Sequence, residues 1–277
     1  MKNALTSLLL ALLIAGPAAA APPQRAVVLV YHGIGPEKPY WVTPERLEAD
    51  ILYLLRAGYH PVSLPEIERF ALRGGNLPPR AVLLTFDDGV QSVYRYAFPL
   101  TERYRVPAAA FIVGSRIGKP GHLSAAELRE MQASGLWSIG AHTYAMHRYV
   151  EGLRGYRAQL SNPPRGSTAE KRAKAIRADI AREAAAFSGA GLPAPEAFAF
   201  PFGQHDAASV ALLHDAYPLL FDSRPALARP GSYLLPRVDA TAAPLPRILE
   251  AYVSPVTRAA GRFAGSPAPK RPAPSVR

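Results

Sequence analysis

Two short stretches of this 277-residue chain carry groups able to do chemistry. The first is LLTFDDG, residues 83–89, in which an apolar run ends in Asp87, Asp88 and Gly89. Adjacent carboxylates repel, and burial raises the cost of each charge. A pair at the mouth of a buried strand therefore needs partners. Asp-Gly is also an ordinary turn signal, and taken alone the pair leaves both readings open. The second stretch is HTYAMH, which spaces His142 and His147 five residues apart. Histidines that share one helix face stand four apart. A spacing of five requires a turn, and His142 stands where an apolar strand ends. Two imidazoles and one carboxylate make a donor set for a divalent transition metal, with room left for water and substrate. The alternative is two unrelated histidines, one in the core and one exposed. Cysteine is absent, which excludes a thiolate nucleophile, a cysteine zinc site and any disulfide.

The elements that must position these groups follow from the hydrophobic pattern. Short apolar runs alternate with amphipathic segments, as in an α/β fold. AVVLVYH (26–32), AVLLTF (81–86), PAAAFIVG (107–114), LWSIGAHT (136–143) and EAFAFPFG (196–203) read as buried strands. YPLLFDS (217–223) and YLLPRVD (233–239) supply two more. A helix is expected over 43–57, with Thr43 as cap, Pro44 in the first turn and Gly58 at the end. Its stripe is Leu47, Ile51, Leu54 and Leu55. Further helices are expected over 92–104, from Ser124 with a Ser124–Glu127 capping box, and over 167–187 with a Ser167–Glu170 box. Repeated strand–helix units predict a closed or nearly closed barrel with its chemistry at the C-terminal strand ends. His32, Asp87, Asp88, His142 and the turn Pro201–Gly203 all follow strands.

TFDDG (85–89), HTYAMH (142–147) and FPFG (200–203) resemble, in order, the motifs of the polysaccharide deacetylases, the carbohydrate esterases with a NodB-type domain. The resemblance covers roughly residues 26–250. It implies a distorted (β/α) barrel and a metal-dependent hydrolase that removes N-acetyl groups from a polysaccharide. It implies Asp87 as general base and Asp88, His142 and His147 as metal ligands. The metal would be zinc, with iron, cobalt or nickel suited to the same donors. There are departures. The histidines are five apart rather than four, Ala199 stands where the family commonly has Arg, and no late Leu-x-His motif is present. LLH (212–214) mimics that motif from within an expected helix. VYHGIG (30–35) instead resembles the poly-β-1,6-N-acetyl-D-glucosamine N-deacetylases, whose motif order is circularly permuted and whose acid histidine comes first. His32 is thus the expected general acid, with His214 the alternative. Arg237 is the expected replacement for the missing Arg beside Asp87, and Asp239 a partner for His32. The Phe202 backbone N–H is an expected oxyanion donor, in a turn shaped by Pro201 and Gly203. Tyr144, Trp137, Tyr31 and Trp41 are expected along a sugar groove, with core packing as the alternative.

The ends of the chain read differently from its middle. Lys2, LTSLLLALLIAG and PAAAAP have the order of a signal peptide cleaved after Ala20, and the apolar run is short of the ~20 residues of a span. The expected organisation is a signal peptide (1–20), one deacetylase domain (21–255) and a disordered basic Pro/Ala-rich tail (256–277). The mature protein is expected to be exported, periplasmic or extracellular, with no transmembrane span. The formal charge is +11. The tail, with Arg258, Arg262, Lys270, Arg271 and Arg277, suggests an anionic envelope surface, and no motif supports a nucleic acid partner. The expected substrate is an N-acetylglucosamine polysaccharide, in particular the β-1,6-linked biofilm exopolysaccharide. The alternatives are a peptidoglycan or chitooligosaccharide deacetylase, or a catalytically dead carbohydrate-binding barrel.

Overall fold

The computed structural model describes residues 24–253. The expected signal segment and basic tail lie outside the described residues. No helix among the described residues is long and apolar enough to cross a membrane.

Nine strands pair in parallel: β1 (Val27–Tyr31), β2 (His60–Pro61), β3 (Ala81–Phe86), β4 (Ala108–Ile112), β5 (Trp137–Ala141), β8 (Ala197–Ala199), β9 (Leu219–Phe221), β10 (Leu234–Leu235) and β11 (Val238–Asp239). Their order is β10-β9-β8-β5-β4-β3-β1-β11, with β2 added on β3. A parallel sheet is covered on both faces, which is why its strands read as unbroken apolar runs. Seven α-helices among the described residues accompany it: α1 (Pro44–Arg56), α2 (Leu64–Arg73), α3 (Phe98–Tyr104), α4 (Ala125–Ala133), α5 (Ala169–Gly189), α6 (Ala207–His214) and α7 (Leu245–Val253). Alternate residues of the strands divide the core. Val28, Leu83, Ala109, Phe111, Ala197, Ala199, Phe221 and Leu235 point into the curled sheet, where α2 supplies Ile67 and Phe70. Leu29, Leu84, Phe86 and Ala110 point outward against Leu47, Ile51 and Leu128 of α1 and α4. This is the distorted barrel expected of the family.

One expected strand is in fact two. YLLPRVD divides at Pro236 and Arg237: β10 pairs with β9 at one edge of the sheet, and β11 pairs with β1 at the other. Proline brings no N–H to a ladder. Two residues therefore carry the chain across the seam where the curled sheet meets itself, and Arg237 sits in that seam.

Helix starts follow local chemistry. Thr43 accepts from the Arg46 N–H, and Ser124 and Glu127 form their capping box. The box expected at Ser167 is absent, because Thr168 takes the cap by accepting from the Lys171 N–H at 3.2 Å. The expected 92–104 helix opens with a π-helical turn, Val93–Ala97, before α3. An antiparallel hairpin, β6 (Tyr149–Gly152) and β7 (Gly155–Ala158), follows His147 and was not expected.

Candidate active site

Three strand ends build the site. From β3, Asp87 leaves the sheet with its N–H bonded to the Tyr31 carbonyl at 3.0 Å. Asp88 and Gly89 then turn the chain through left-handed backbone, φ 75 and 68. From β5, His142 follows with its N–H on the Ile112 carbonyl at 2.8 Å. Its Nδ1 lies 2.7 Å from the Ala199 carbonyl. Only an N–H satisfies that contact, so Nε2 keeps its lone pair and faces Asp88. From β8, Pro201–Gly203 form a short helical turn. Five non-glycine residues among those described have positive φ, and three of them, Asp88, Thr143 and Phe202, lie one in each of these loops. Such backbone costs about 1–3 kcal/mol per residue, so the fold holds these loops against local preference.

Asp88, His142 and His147 each present a ligand atom, all within 4.8 Å of one another. His147 Nε2 is 2.9 Å from Asp88 Oδ1, and His142 Nε2 is 3.8 Å from the same oxygen. Asp88 Oδ1 is nevertheless buried without an aligned hydrogen-bond donor. A close but misaligned imidazole pair around a bare carboxylate oxygen suits a shared cation. Burial pushes His142 down to about 4, so it is neutral at physiological pH, as a ligand must be. Burial opposes the charge on Asp88, but His147 and His142 outweigh it and hold the carboxyl far below its ordinary range. The chain's residues fit a divalent transition metal.

Asp87 has a different partner. Arg237 Nη1 and Nη2 donate to its two oxygens, each at 2.7 Å. Arg237 is itself buried, with Nε on the Asp222 carbonyl, Nη1 also on Thr85 Oγ1, and its guanidinium 5.5 Å from the Phe111 ring. Burial works against the Asp87 charge, yet Arg237, His142 and His32 keep its carboxyl below the ordinary value. Arg237 thus reaches Asp87 from the seam of the barrel.

His32 follows β1 on the other side of the carboxylates. Its Nδ1 is buried without a hydrogen-bond partner, and its ring meets Tyr40 edge-on at 5.6 Å. Asp239 does not orient it: that carboxylate accepts from the N–H and hydroxyl of Thr241, at 2.8 and 2.7 Å. His214 ends α6 and stacks on Tyr233 at 3.8 Å, just ahead of β10, at the barrel end where strands begin. It is therefore remote from the carboxylates.

The expected sugar-groove aromatics separate. Trp137 is corrected to the core: it starts β5 at the end away from His142, is buried, and donates from Nε1 to Thr101 Oγ1. Tyr31 is also core, its hydroxyl on Asp50. Trp41 packs over Gly33, where a Cβ would lie 2.2 Å from the indole. Tyr144 is half-buried beneath the Arg182 guanidinium at 5.3 Å. Phe202 is 40% exposed, and its ring lies 4.6 Å from His147 and 4.3 Å from Tyr149. Pro201 is buried, and Gly203 has no room for a Cβ, which would sit 2.5 Å from Ser223.

Sequence reading missed two supports. Asp179 and Glu183, one turn apart on α5, are buried carboxylates. Asp179 accepts from the Tyr144 and Ala145 N–H groups at 2.8 and 3.0 Å. Glu183 accepts from the Gly114 N–H at 3.0 Å and lies 3.4 Å from the His142 N–H. Together they fix the turn that the five-residue spacing requires. The available signal was their place on the same stripe as Ile176 and Phe187. Arg116, in the turn after β4, places Nη1 3.9 Å from Asp88 Oδ1 and Nη2 3.5 Å from His147 Nδ1.

The family model for polysaccharide deacetylases matches residues 74–217, just over half of the chain. The chain belongs to the polysaccharide deacetylase family. His32 and Arg237 lie outside the matched stretch, and barrel closure brings them to it. Over 135 residues the chain is 32% identical to the poly-β-1,6-N-acetyl-D-glucosamine N-deacetylase of Staphylococcus epidermidis, covering 47% of this chain and 46% of that protein. The Staphylococcus aureus (strain MRSA252) protein of the same name is 31% identical over 115 residues, 40% of this chain and 39% of that one. The chain thus matches about half the length, or less, of these curated relatives. Among solved structures, IcaB from Ammonifex degensii superposes with a TM-score of 0.71 at 29% identity, over 81% of this chain and 95% of that one. A de-N-acetylase from Aggregatibacter actinomycetemcomitans, at 21% identity and TM-score 0.72, covers 79% of this chain and 97% of that one and shares the fold.

Proposed function

We propose that this deacetylase is an exported, metal-dependent N-deacetylase of N-acetylglucosamine polysaccharide, with the β-1,6-linked exopolysaccharide as its substrate. The observation that carries the reading is the division of labour between two adjacent carboxylates: Asp87 is held by Arg237, and Asp88 faces two imidazoles. The β-1,6 linkage is supported by the early position of His32 and by the relatives' names. Export is supported by the order of charged, apolar and small residues at the N-terminus.

The chemistry assigned to the chain's residues is amide hydrolysis. Asp88, His142 and His147 would hold a divalent cation, zinc being the first choice, which would supply a water of lowered pKa and polarisation of a carbonyl. Asp87, fixed by Arg237, accepts the proton of the attacking water. The Phe202 N–H, in a turn held in left-handed backbone, is the donor assigned to the oxyanion. His32 gives a proton to the departing nitrogen, so that acetamide and water become acetate and a free amine. Proton transfers of this kind contribute ~10²–10⁴-fold each. Phe202, Gly203 and Tyr144 form the sugar-facing rim.

The test is acetate release from β-1,6-linked N-acetylglucosamine oligomers, with and without chelator. Release that stops with chelator and returns with zinc supports the reading. Activity confined to β-1,4 oligomers overturns the linkage, and metal-loaded protein that binds glycan without releasing acetate overturns the activity.

A further inference from the structure

A cavity of about 380 Å³ opens beside the Pro201–Gly203 turn. Arg154, Arg157, Ser161, Gly203, Gln204 and His205 line it. One wall is the β6–β7 hairpin and the other is the turn itself. Phe202 and Gly203 are consecutive, yet the first touches His147 and the second lines the cavity. A glycan laid across Phe202 with one acetamide at the histidines therefore has a neighbouring sugar at this cavity.

The two walls are hydrogen-bonded to each other. Gln204 accepts from the Ala158 N–H at 3.2 Å and donates to the Tyr149 hydroxyl at 3.3 Å, tying turn to hairpin. Asn162 donates to the Val150 and Gly155 carbonyls and accepts from the Arg154 N–H at 3.0 Å, fixing the hairpin's end.

The cavity's lining holds two guanidinium groups and no carboxylate. Asp206 is already satisfied by Arg172, which meets its two oxygens at 2.9 and 3.0 Å, and by the Ser209 N–H, where it caps α6. Arg154 approaches the same carboxylate at 3.2 Å as a second cation, and Arg157 donates to the Arg154 carbonyl at 3.2 Å. Two guanidinium groups thus share one carboxylate, and a third, that of Arg157, stands with Arg154 on the cavity lining. At the other wall, Asp222 holds His205 at 3.2 Å and is also paired with Arg224. A neutral sugar gains hydrogen bonds but no charge attraction from these groups, and an amino sugar is repelled by them. Guanidinium groups match carboxylate and phosphate, which they bind through paired N–H donors.

We propose that this cavity is a subsite for an acidic substituent, carboxylate or phosphate, on a sugar next to the one being deacetylated. The proposal rests on the deacetylase reading of the adjoining site. It makes the hairpin a determinant of which stretches of polymer are processed: units bearing acid are drawn in, and units already converted to free amine are turned away.

The test compares three N-acetylglucosamine oligomers, one neutral, one O-succinylated and one O-phosphorylated, in deacetylation kinetics and calorimetric binding. In the wild type both acidic oligomers are expected to show kcat/KM about tenfold above the neutral one, largely through KM, with an advantage that shrinks as salt rises. Arg157→Gln and Arg154→Gln are expected to bring the acidic-to-neutral ratio near one. Arg73→Gln, which removes a like charge from exposed α2, is expected to keep the wild-type ratio. A preference for only one acid identifies the substituent. Equal kcat/KM for neutral and acidic oligomers in the wild type, or a ratio unmoved in both cavity variants, overturns the proposal. If no oligomer is deacetylated, the reaction assignment fails, and binding still decides the cavity: tighter binding of acidic oligomers that is lost in Arg157→Gln supports it, and equal binding overturns it.

Discussion

Arg237 and Asp87 meet through two parallel hydrogen bonds of 2.7 Å, in the interior of the barrel and 150 residues apart in the chain. The contact does two things at once. It fastens the seam between β10 and β11 to the end of β3, and it keeps a buried carboxylate ionised. Arg237→Met removes the charge that offsets burial, so the Asp87 pKa rises. A base must be ionised to act, and the acid limb of the kcat/KM profile is therefore expected to move to higher pH. Arg237→Lys keeps the charge without the fork and is expected to move the limb less while still lowering kcat. Breaking one side of a buried pair costs about 3–5 kcal/mol, measurable by urea unfolding. An unmoved acid limb in a folded Arg237→Met protein would show that Asp87 is not the base.

The two neighbouring carboxylates are expected to fail differently. Asp87→Asn removes the proton acceptor and leaves the ligand cluster intact, so bound zinc is retained while turnover falls by about 10²–10⁴-fold. His142→Ala and His147→Ala each remove one of three ligands and are expected to lose metal on dialysis. Metal analysis beside acetate release separates the two classes. Full occupancy in both histidine variants would remove the ligand assignment.

Asp87, Asp88, His142 and His147 were legible in sequence because each ends or follows a strand that alternates with helices, and the barrel collects such ends at one mouth. Arg237 was legible only as a candidate: YLLPRVD looks like one strand, and nothing local says that Pro236 and Arg237 cross between sheet edges. Trp137 was misplaced because an aromatic near a metal motif suggests a groove. Yet it opens β5, five residues before His142, at the opposite end of the barrel. Asp179 and Glu183 were hidden within a helix whose alanines, arginines and lysines dominate its composition. Their role depends on backbone N–H groups that a side-chain pattern does not display. The hairpin after His147 was missed for a related reason: its Tyr, Arg and Gly residues show neither a strong period nor a strongly apolar face.

His32 is the expected proton donor to the departing nitrogen. His32→Asn is expected to lower kcat/KM by about 10²–10⁴-fold while keeping bound zinc, because it leaves the three ligands in place. His214→Asn, at the other end of the barrel, is expected to keep the wild-type kcat/KM. Wild-type turnover in metal-loaded His32→Asn would pass the acid role to another group.

Glu183 couples the site to stability. Burial and the nearby Asp179 charge push its carboxyl up, the His142 and Gly114 N–H groups pull it down, and the balance is a value of about 8 against an ordinary 4.5. Between those values the folded chain holds a proton that the unfolded chain has released. The stabilising contribution of protonated Glu183 is therefore present below about pH 4.5 and is lost as pH rises through about 8. One proton sets a limiting slope of about 1.4 kcal/mol per pH unit. Glu183→Gln mimics the protonated form and cannot lose it, so urea midpoints of chelator-treated wild type and variant are expected to diverge between pH 5 and 8 in the variant's favour, within the window set by about 4.5 and about 8. The same side chain supports the loop that presents His142. Glu183→Ala is accordingly expected to weaken zinc binding by about 10–100-fold in competition with a chelator, with Asp179→Ala acting alike on the turn before His147. Parallel urea curves across that pH range would place the Glu183 proton elsewhere. Unchanged zinc affinity in both alanine variants would show that the ligand loops hold their shape without α5.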